Sequence, residues 1–459
     1  MTKVSGFILK HRKTLLIYYG ASLLLLLLVQ VITSHCADHN LPPLKVFSRF
    51  WINIILVNLM AAYSLIYLYI RDDDFKPYWV LFFIIIGIFL CSTPPGFGGD
   101  MMEYLMRGRI LSVYGKNPYL HVSSEFPGDL LYPYSIWRFT PETYGPLFVM
   151  IEALPSKFFP NSIFGMIFSF KLIVLVFFLL GVYFFMRICR KVSPDIPKEL
   201  PIFFALNPLI LIRSLVDGHN DILMVSLTIG CVYFFLEKKY TRAALFWAAA
   251  FAVKFIVIIL LPVLFLMMLK NEKNEKGMAK ALLTCMAQAV AVFGALFVLF
   301  MPFWVGFKTF EVVLSASKWF HTNTIPYAAY QVFQILKWPV TTDQMAAGFK
   351  WGFVLCYAVM MIWLMIRPVL KKMELFKVLF WAHIIFYISL TSPIGAHYMQ
   401  WGQPWLFLSF WPHAFLADFL YTSVGIFAYF KRINYLAITA AIIYSVWFFK
   451  SRIPKNSKR

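Results

Sequence analysis

Several uninterrupted apolar segments of membrane-spanning length constrain what this chain can fold into. Residues 163–186, 279–301 and 347–366 carry few charges, and each is close to the roughly 20 apolar residues that an α-helix needs to cross a bilayer. The segments are continuously apolar, whereas the strands of a membrane β-barrel alternate between apolar and polar residues. The sequence therefore predicts an all-α, polytopic integral membrane protein.

The charge of the chain agrees with this class. Of its 459 residues, 61% are hydrophobic and only 14% are charged, and 42 basic against 21 acidic residues give a formal charge of +21. The basic residues cluster in short loops and at the two ends of the chain. This distribution is typical of loops held on the cytoplasmic side of a membrane, rather than of a nucleic-acid partner. We predict a multi-pass protein of the cell membrane with a cytoplasmic N-terminus and no nucleic-acid partner.

The apolar pattern predicts about 11 to 13 membrane segments in a single domain over residues 1–459. No internal repeat or second domain is evident. The full-length helices are predicted at about 14–33, 49–70, 77–92, 163–186, 279–301, 347–366 and 375–391. Shorter paired segments are predicted at 200–215 with 220–236, and 241–253 with 256–269. Near the end we expect one or two segments within 401–430 and one at 434–449.

The polar segment 93–146 is the longest stretch that is not continuously apolar, and it holds a large share of the few acidic residues. The alternation of predicted helices places it on the extracytoplasmic side. Asp100–Tyr114 reads as a helix lying along the membrane interface, with Arg107 and Arg109 available for lipid or phosphate contacts. A short apolar segment after Pro146 is too short to cross the membrane. Polar loops of this size commonly carry function, so we predict the catalytic loop here.

Two turns interrupt the short paired segments with charged residues. One runs from Arg213 to Asp221, and the other is centred on Lys254. Broken helices that meet at charged turns indicate a site within the membrane boundary, because ionisable groups near hydrocarbon are costly and tend to serve function.

A carboxylate that faces cations beside an apolar groove suits one kind of chemistry. The cations can hold a lipid-linked phosphate, and the carboxylate can take a proton from an incoming hydroxyl. The polar residues predicted on the outer side are Asp100, Glu103, Arg107, Asn117, Tyr144, Arg213, Asp217, His219, Asn220, Asp221, Lys254, His321, His397, Gln400 and Gln403.

Four stretches give the chain a resemblance to a known group of enzymes. They are GGDMMEY followed by GKNPY, then YGPLF, then LNPLILIRSLVDGHNDILM followed by AAAFAVKFIVIILLP, and finally HYMQWGQPW. In this order and spacing, over roughly residues 90 to 410, they resemble the polyprenyl-phosphate-sugar-dependent glycosyltransferases of the GT-C superfamily. The resemblance is closest to the bacterial α-mannosyltransferases of that group.

The resemblance implies a GT-C-like fold with its site on the outer face. It implies a sugar donor linked to polyprenyl phosphate, a glycan or lipid-linked acceptor, inversion by a single displacement, and no metal or other cofactor. It gives Asp100 the role of general base, with Glu103 as the alternative. The residues it assigns to phosphate, sugar or donor binding are His219, Asn220, Asp221, Lys254, His397, Gln403 and Trp405.

Other interpretations of the same residues remain open. Asp100 can serve as a helix N-cap, Glu103 can pair with Arg107 one turn on, and Lys254 can snorkel to the interface. A flippase or transporter of lipid-linked sugars would use the same groove and cations without chemistry. A polymerase or ligase of surface polysaccharide would place its large outer loop in the second half of the chain.

Overall fold

The computed structural model describes residues 77–93, 99–193, 196–316, 320–322, 324–367, 372–391 and 395–409, together with isolated positions at 14–28, 62, 63, 418, 421 and 422. Most of the predicted helices at 14–33, 49–70 and 401–430, and all of the one at 434–449, lie outside the described residues. The basic C-terminal tail also lies outside them.

The described part of the chain is all-α and contains no β-strand, as predicted. Its α-helices are α1 (Pro77–Cys91), α2 (Asp100–Ser112), α3 (Pro146–Phe158), α4 (Ile163–Val192), α5 (Leu200–Ala205), α6 (Asp221–Leu236), α7 (Tyr240–Val253), α8 (Leu261–Lys276), α9 (Met278–Phe300), α10 (Glu311–Ala316), α11 (Ile325–Ile335), α12 (Thr342–Ile366), α13 (Lys372–Ser389) and α14 (Gln403–Ser409). Between them lie a helical turn at Pro208–Ile210, a π-helical segment at Leu211–Val216, and 3₁₀ segments that include Phe255–Leu260 and Ala396–Trp401.

Four helical stretches among the described residues are long and apolar enough to cross a membrane: Ile163–Val192, Phe255–Lys276, Met278–Phe303 and Thr342–Ile366. In the last two, only 6% of the most apolar window is buried inside the protein. Apolar surface on this scale needs a lipid environment. The prediction of a multi-pass, all-α membrane protein is therefore confirmed, whereas the predicted number of segments stays a prediction.

Within the described ranges, most predicted helices appear within a few residues of their expected bounds, and two further helices, α10 and α11, lie between α9 and α12. The helix α11 begins after Thr324, whose hydroxyl accepts a hydrogen bond from the Tyr327 N–H. The helix α12 begins at Thr342 rather than at 347, because Thr341 and Gln344 exchange side-chain to backbone hydrogen bonds in a capping box.

The helix predicted at the start of the polar loop is present as α2, and it is buried inside the protein rather than lying at its surface. Every residue of α2 from Met101 to Ile110 is buried. Arg109 donates two hydrogen bonds to Asp129, of 2.8 and 2.9 Å, and one to the Pro160 carbonyl. The expectation that Arg109 contacts lipid or phosphate is wrong, since the guanidinium group is used inside the protein.

Two glycines allow the polar loop to pack closely against the helices. At Gly108 a Cβ atom would lie 1.9 Å from the carbonyl oxygen of Glu152, so α2 and α3 touch backbone to backbone. At Gly145 a Cβ atom would lie 2.2 Å from the Ala252 carbonyl oxygen, and the Gly145 N–H donates to the Val253 carbonyl at 3.1 Å. The second contact fastens the start of α3 to the end of α7, one residue before Lys254.

We expect Gly108→Ala to lower the free energy of unfolding by about 2 kcal/mol or more, because the backbone of α3 must move to admit the methyl group. The measurement is thermal unfolding of the purified protein in detergent. Gly352→Ala in α12 is the control, since no atom lies within 4 Å of its added Cβ and alanine favours a helix. Equal unfolding temperatures for the two variants would contradict the close α2–α3 contact.

Candidate functional site

Asp100 is the first residue of α2 and lies beside two side chains from distant parts of the chain. Its Oδ1 accepts a hydrogen bond of 3.2 Å from the Trp137 indole N–H. Its Oδ2 lies 3.6 Å from Nδ1 of His219. Burial raises the pKa of Asp100 above its usual value, while the Trp137 hydrogen bond and the charge of Lys254 act in the opposite direction. The sequence prediction that Asp100, His219 and Lys254 share one site agrees with this geometry.

His219 is stacked on His397, with ring centroids 3.9 Å apart and ring planes inclined by 19°. Burial lowers the pKa of both imidazoles well below the usual value, and nearby positive groups lower it further, which favours the neutral form of both rings. Among the described residues, Nδ1 of each ring is buried without a hydrogen-bond partner. A neutral histidine can donate or accept a hydrogen bond at such a nitrogen, and of the two residues His397 lines the cavity described below.

Lys254 occupies the break between α7 and the 3₁₀ segment that follows it. Its backbone is extended rather than helical, with φ −149° and ψ 122°. The ammonium group donates to Asp221 Oδ1 at 2.6 Å and to Asn220 Oδ1 at 3.4 Å. Both acceptors lie at the start of α6, so the ion pair joins the two broken helices at their charged turns.

Three aromatic rings surround the same ammonium group. The nitrogen lies 5.3 Å from the ring centroid of Tyr144, 4.9 Å from that of Tyr398 and 5.1 Å from that of Trp401. Trp401 also donates its indole N–H to Asp221. Cation–π contacts of this kind contribute about 0.5–2 kcal/mol each. Lys254 is thus held in a defined position rather than snorkelling.

The two arginines predicted to bind phosphate are also paired with carboxylates. Arg213 donates to Asp217 one turn later, and both side chains are buried. Arg107 lies 3.4 Å from Glu103 and 3.7 Å from Glu142, and donates to the Thr140 carbonyl at 3.3 Å.

Glu103 is 1% exposed and is bound to the polar loop on several sides. It accepts hydrogen bonds from the hydroxyl groups of Ser123 and Ser135 at 2.8 and 2.5 Å, and from the Trp137 backbone N–H at 3.1 Å. Together with its contact to Arg107, these bonds tie α2 to the segment that carries Trp137. The geometry therefore gives Glu103 a positioning function.

A cavity of about 590 Å³ joins these groups, and its lining combines polar and apolar side chains. The polar or aromatic–polar lining residues are Asp100, Glu103, Tyr104, Arg107, Trp137, Thr140, Thr143, Tyr144, Lys254, His397 and Tyr398. The apolar lining residues are Phe255, Ile256, Ile258, Ile259, Val312, Val313, Phe353 and Phe386. A cavity of this kind fits an amphiphilic ligand that has both a polar head and a hydrocarbon chain.

Several predicted residues have contacts away from this cavity. Asn117 caps a turn and donates to the Phe303 carbonyl at 3.1 Å. Gln403 donates to Asp418 and Thr422 in a buried polar network, and Trp405 packs against Phe376 in the interior. The side-chain oxygen of Gln400 accepts a hydrogen bond from the Ser214 hydroxyl, and the backbone N–H of His321 donates to the Thr391 carbonyl. The roles predicted for these residues in the site stay predictions.

Among the side chains in contact with Asp100 or Lys254, three were not predicted candidates: Trp137, Tyr398 and Trp401. The sequence offered one signal for two of them, because Tyr398 and Trp401 lie three residues apart in HYMQWGQPW. Helical residues at that spacing share a face. Trp137 carries no such signal, since its place beside Asp100 follows from the loop contacts of Glu103.

Asp100, His219 and His397 form a group whose metal-ligating atoms all lie within 4.8 Å of one another. Metal ligands must direct their lone pairs to one point. The two imidazole rings are stacked only 19° from parallel, so their nitrogens do not converge on one ion in this arrangement. The prediction that no metal is required stays a prediction.

Comparison with known proteins identifies a matching family and several similar enzymes. Residues 35–270 match the family described as α-(1→6)-mannopyranosyltransferase, N-terminal domain. The α-(1→6)-mannopyranosyltransferase A of Mycobacterium tuberculosis is 28% identical over 251 residues, which is 54% of this chain and 48% of the relative. The protein of the same name from Corynebacterium glutamicum is 27% identical over 174 residues, 38% of this chain and 35% of the relative. The chain thus spans about half or less of the length of these relatives.

The loop contacts of Glu103 lead to a prediction about stability. We expect Glu103→Gln to lower the free energy of unfolding by about 3 kcal/mol. The substitution removes one of the two buried negative charges beside Arg107, and it weakens the hydrogen bonds from the loop to residue 103. Thermal unfolding in detergent measures the effect. Glu125→Gln is the matched control, since that carboxylate is 44% exposed beside His121, and exposed pairs contribute about 0–1 kcal/mol. A loss no larger than the control's would contradict the positioning function.

Proposed function

Because the chain belongs to the α-(1→6)-mannopyranosyltransferase family, whose model matches just over half of it, we propose that it is a membrane mannosyltransferase. It moves mannose from polyprenyl phosphate to an acceptor hydroxyl on the extracytoplasmic face. The matched region includes Asp100, His219 and Lys254. The proposal adds a donor, an acceptor and a mechanism to the family relationship.

One observation carries the proposal. Asp100, Lys254 and His397, from three distant parts of the chain, line a cavity whose other lining residues include eight apolar side chains. A lipid-linked sugar phosphate combines the same two characters, since a charged head is attached to a hydrocarbon chain. One apolar lining residue, Ile258, also lines a second, apolar cavity of about 450 Å³ among α6, α7, α8 and α9.

In the proposed reaction, the acceptor hydroxyl oxygen attacks the anomeric carbon of mannose as the bond from that carbon to the phosphate oxygen breaks. The hydroxyl proton passes to Asp100, and the electron pair of the broken bond leaves with polyprenyl phosphate. A single displacement of this kind inverts the anomeric configuration. Asp100 is the better candidate for the base, because Glu103 is engaged by the loop and Arg107.

The leaving phosphate gains charge in the transition state, and prearranged donors aimed at it would lower the barrier. Lys254 has three N–H donors, two of which are directed at Asp221 and Asn220. In the proposed complex the third donates to a phosphate oxygen, and the His397 imidazole, which also lines the cavity, is the second donor. Each 1.4 kcal/mol or so of such differential stabilisation gives about a tenfold increase in rate.

We expect Asp100→Asn to lower kcat by about 10²- to 10⁴-fold, the usual contribution of general acid–base catalysis, with little effect on folding. The assay offers purified protein radiolabelled polyprenyl-phosphate-mannose or polyprenyl-phosphate-glucose and measures release of polyprenyl phosphate. Asp343→Asn, in the first turn of α12, controls for loss of a carboxylate elsewhere. Full activity of Asp100→Asn with Glu103 untouched would remove Asp100 from the mechanism, and no release by the wild type would refute the donor class.

The environment of Asp100 also predicts a pH dependence. A general base must be ionised, and its raised pKa places the acidic limb of kcat/KM at a higher pH than an ordinary aspartate would. Trp137→Phe should move the limb higher still, since the indole N–H stabilises the carboxylate. The charged or titratable groups that face Asp100 are His219, Arg213, Asp221 and Lys254, together with the hydroxyl groups of Tyr104, Tyr144 and Tyr398. An unmoved limb in Trp137→Phe would contradict the assignment of this limb to Asp100.

A further inference from the structure

Three buried carboxyl groups lie around a single buried guanidinium group beside the site. Glu103 and Glu142 are each 1% exposed, and Glu152 in α3 is 0% exposed. Arg107 lies 3.4 Å from Glu103 and 3.7 Å from Glu142, and the charge of Glu152 acts on it as well. If all of these groups were ionised, negative charge would exceed positive charge in a buried cluster. Such an imbalance is costly, and a buried carboxyl group commonly takes up a proton instead.

The hydrogen bonds of the cluster indicate which carboxyl group holds the proton. Glu103 accepts hydrogen bonds from the loop, as described above. The Oε1 of Glu142 accepts from the backbone N–H groups of Thr143 at 2.7 Å and Tyr144 at 2.8 Å. Among the described residues, both oxygens of Glu152 and the Oε2 of Glu142 are buried without a hydrogen-bond partner. Two neighbouring carboxylates only accept, whereas a carboxylic acid can donate to a carboxylate. A proton on Glu152 would thus supply the missing bond.

The environment of Glu152 favours its protonated form. Burial raises the pKa of this carboxyl group well above its usual value, and the charge of the neighbouring Glu142 raises it further. Arg107 acts in the opposite direction. The charged or titratable groups that face Glu152 are Glu103 and Arg107 from α2, and Tyr119 and Glu142 from the polar loop. Glu152 is the acid of this cluster that has no hydrogen-bond donor of its own, so it is the one that gains most from a proton.

Glu142 connects this cluster to Lys254. The backbone N–H groups from which it accepts hydrogen bonds belong to Thr143 and Tyr144, which both line the cavity. The ring centroid of Tyr144 lies 5.3 Å from the Lys254 nitrogen. The Tyr144 carbonyl also accepts a hydrogen bond of 2.6 Å from the Tyr119 hydroxyl. A shift of the Glu142 carboxylate would therefore move Tyr144 relative to Lys254.

We propose that Glu152 is a positioning residue, which carries a proton and donates it to Glu142 in a hydrogen bond that holds Tyr144 beside Lys254. Loss of this proton would place a second carboxylate against Glu142, and the repulsion would displace the segment that carries Tyr144. The effect on transfer rests on the proposed function. The proton itself is a property of the folded chain and can be measured without any transfer.

Two substitutions test the shared proton from opposite sides. Glu152→Gln keeps the shape of the side chain and an N–H donor for Glu142, but it cannot ionise. Glu142→Gln supplies an N–H donor to Glu152, which then no longer needs a proton. Infrared spectra of the full chain in detergent would record the C=O band of protonated carboxyl groups, which carboxylates lack. Glu125→Gln is the matched control from the polar loop, since hydrogen bonds from His121 and the Val122 N–H lower the pKa of Glu125 and favour its ionised form.

We expect the wild type to show this band at neutral pH, and Glu152→Gln and Glu142→Gln each to lose the intensity of a single carboxyl group. Glu125→Gln should leave the band unchanged. In the assay of polyprenyl phosphate release, kcat/KM of the wild type should fall as the pH rises through the pKa of Glu152, whereas Glu152→Gln should keep its activity there. The acidic limb assigned to Asp100 should not move. Glu152→Leu, which has neither a charge nor a donor, should lower kcat/KM about tenfold at every pH, the effect of one lost hydrogen bond.

The infrared and kinetic measurements separate this proposal from the proposed function. The absence of the band in the wild type, or its full retention in either Glu152→Gln or Glu142→Gln, would overturn the shared proton. The two variants give this comparison independently, so it stands even if only one of them folds. An alkaline fall in kcat/KM that persists in Glu152→Gln would overturn the positioning role. A shared proton in a chain that transfers no mannose would instead refute the proposed function and leave the proton in place.

Discussion

The ion pair between Lys254 and Asp221 is the interaction on which the arrangement of the site depends. Removing a charged amine and a carboxylate from water costs several kcal/mol per ion, and this cost is offset only where the geometry is good and the remaining donors are satisfied. Here the ammonium group also reaches Asn220 and lies among three aromatic rings. Those rings come from the polar loop and from the segment before α14, so one buried charge brings three distant parts of the chain together.

The polar loop is held to the helices by a second, separate set of contacts. Glycines at 108 and 145 let its backbone approach α3 and α7 to a distance that any side chain would prevent. Glu103 then ties the later part of the loop to α2. As a result, Asp100 at the start of α2 and Trp137 in the loop have a fixed relation, although 36 residues lie between them in the chain.

The sequence predicted the helices of this protein better than the contacts of its polar side chains. Long apolar runs identify helices such as α4 and α9 directly, because membrane-spanning length and composition are local properties. The alternation of predicted helices also places Asp100 and His219 on the same side of the membrane, and the family resemblance assigns both to one site. Arg109 was misread because its partner Asp129 lies 20 residues on, in an irregular loop. Only the folded loop shows that α2 is covered on all sides.

The pairing of the site's cations bears on how a phosphate could be recognised there. Arg107, Arg213 and Lys254 each lie against a carboxylate, so these pairs add little net positive charge to the cavity. Recognition in the proposed reaction would then depend on directed hydrogen bonds from groups that are already fixed in place. Such groups need no reorganisation as charge develops on the leaving oxygen, which is the condition under which electrostatic stabilisation favours the transition state over the bound substrate. The three aromatic rings around Lys254 would contribute in this way, because they fix the direction of the remaining N–H bond while Asp221 balances the charge.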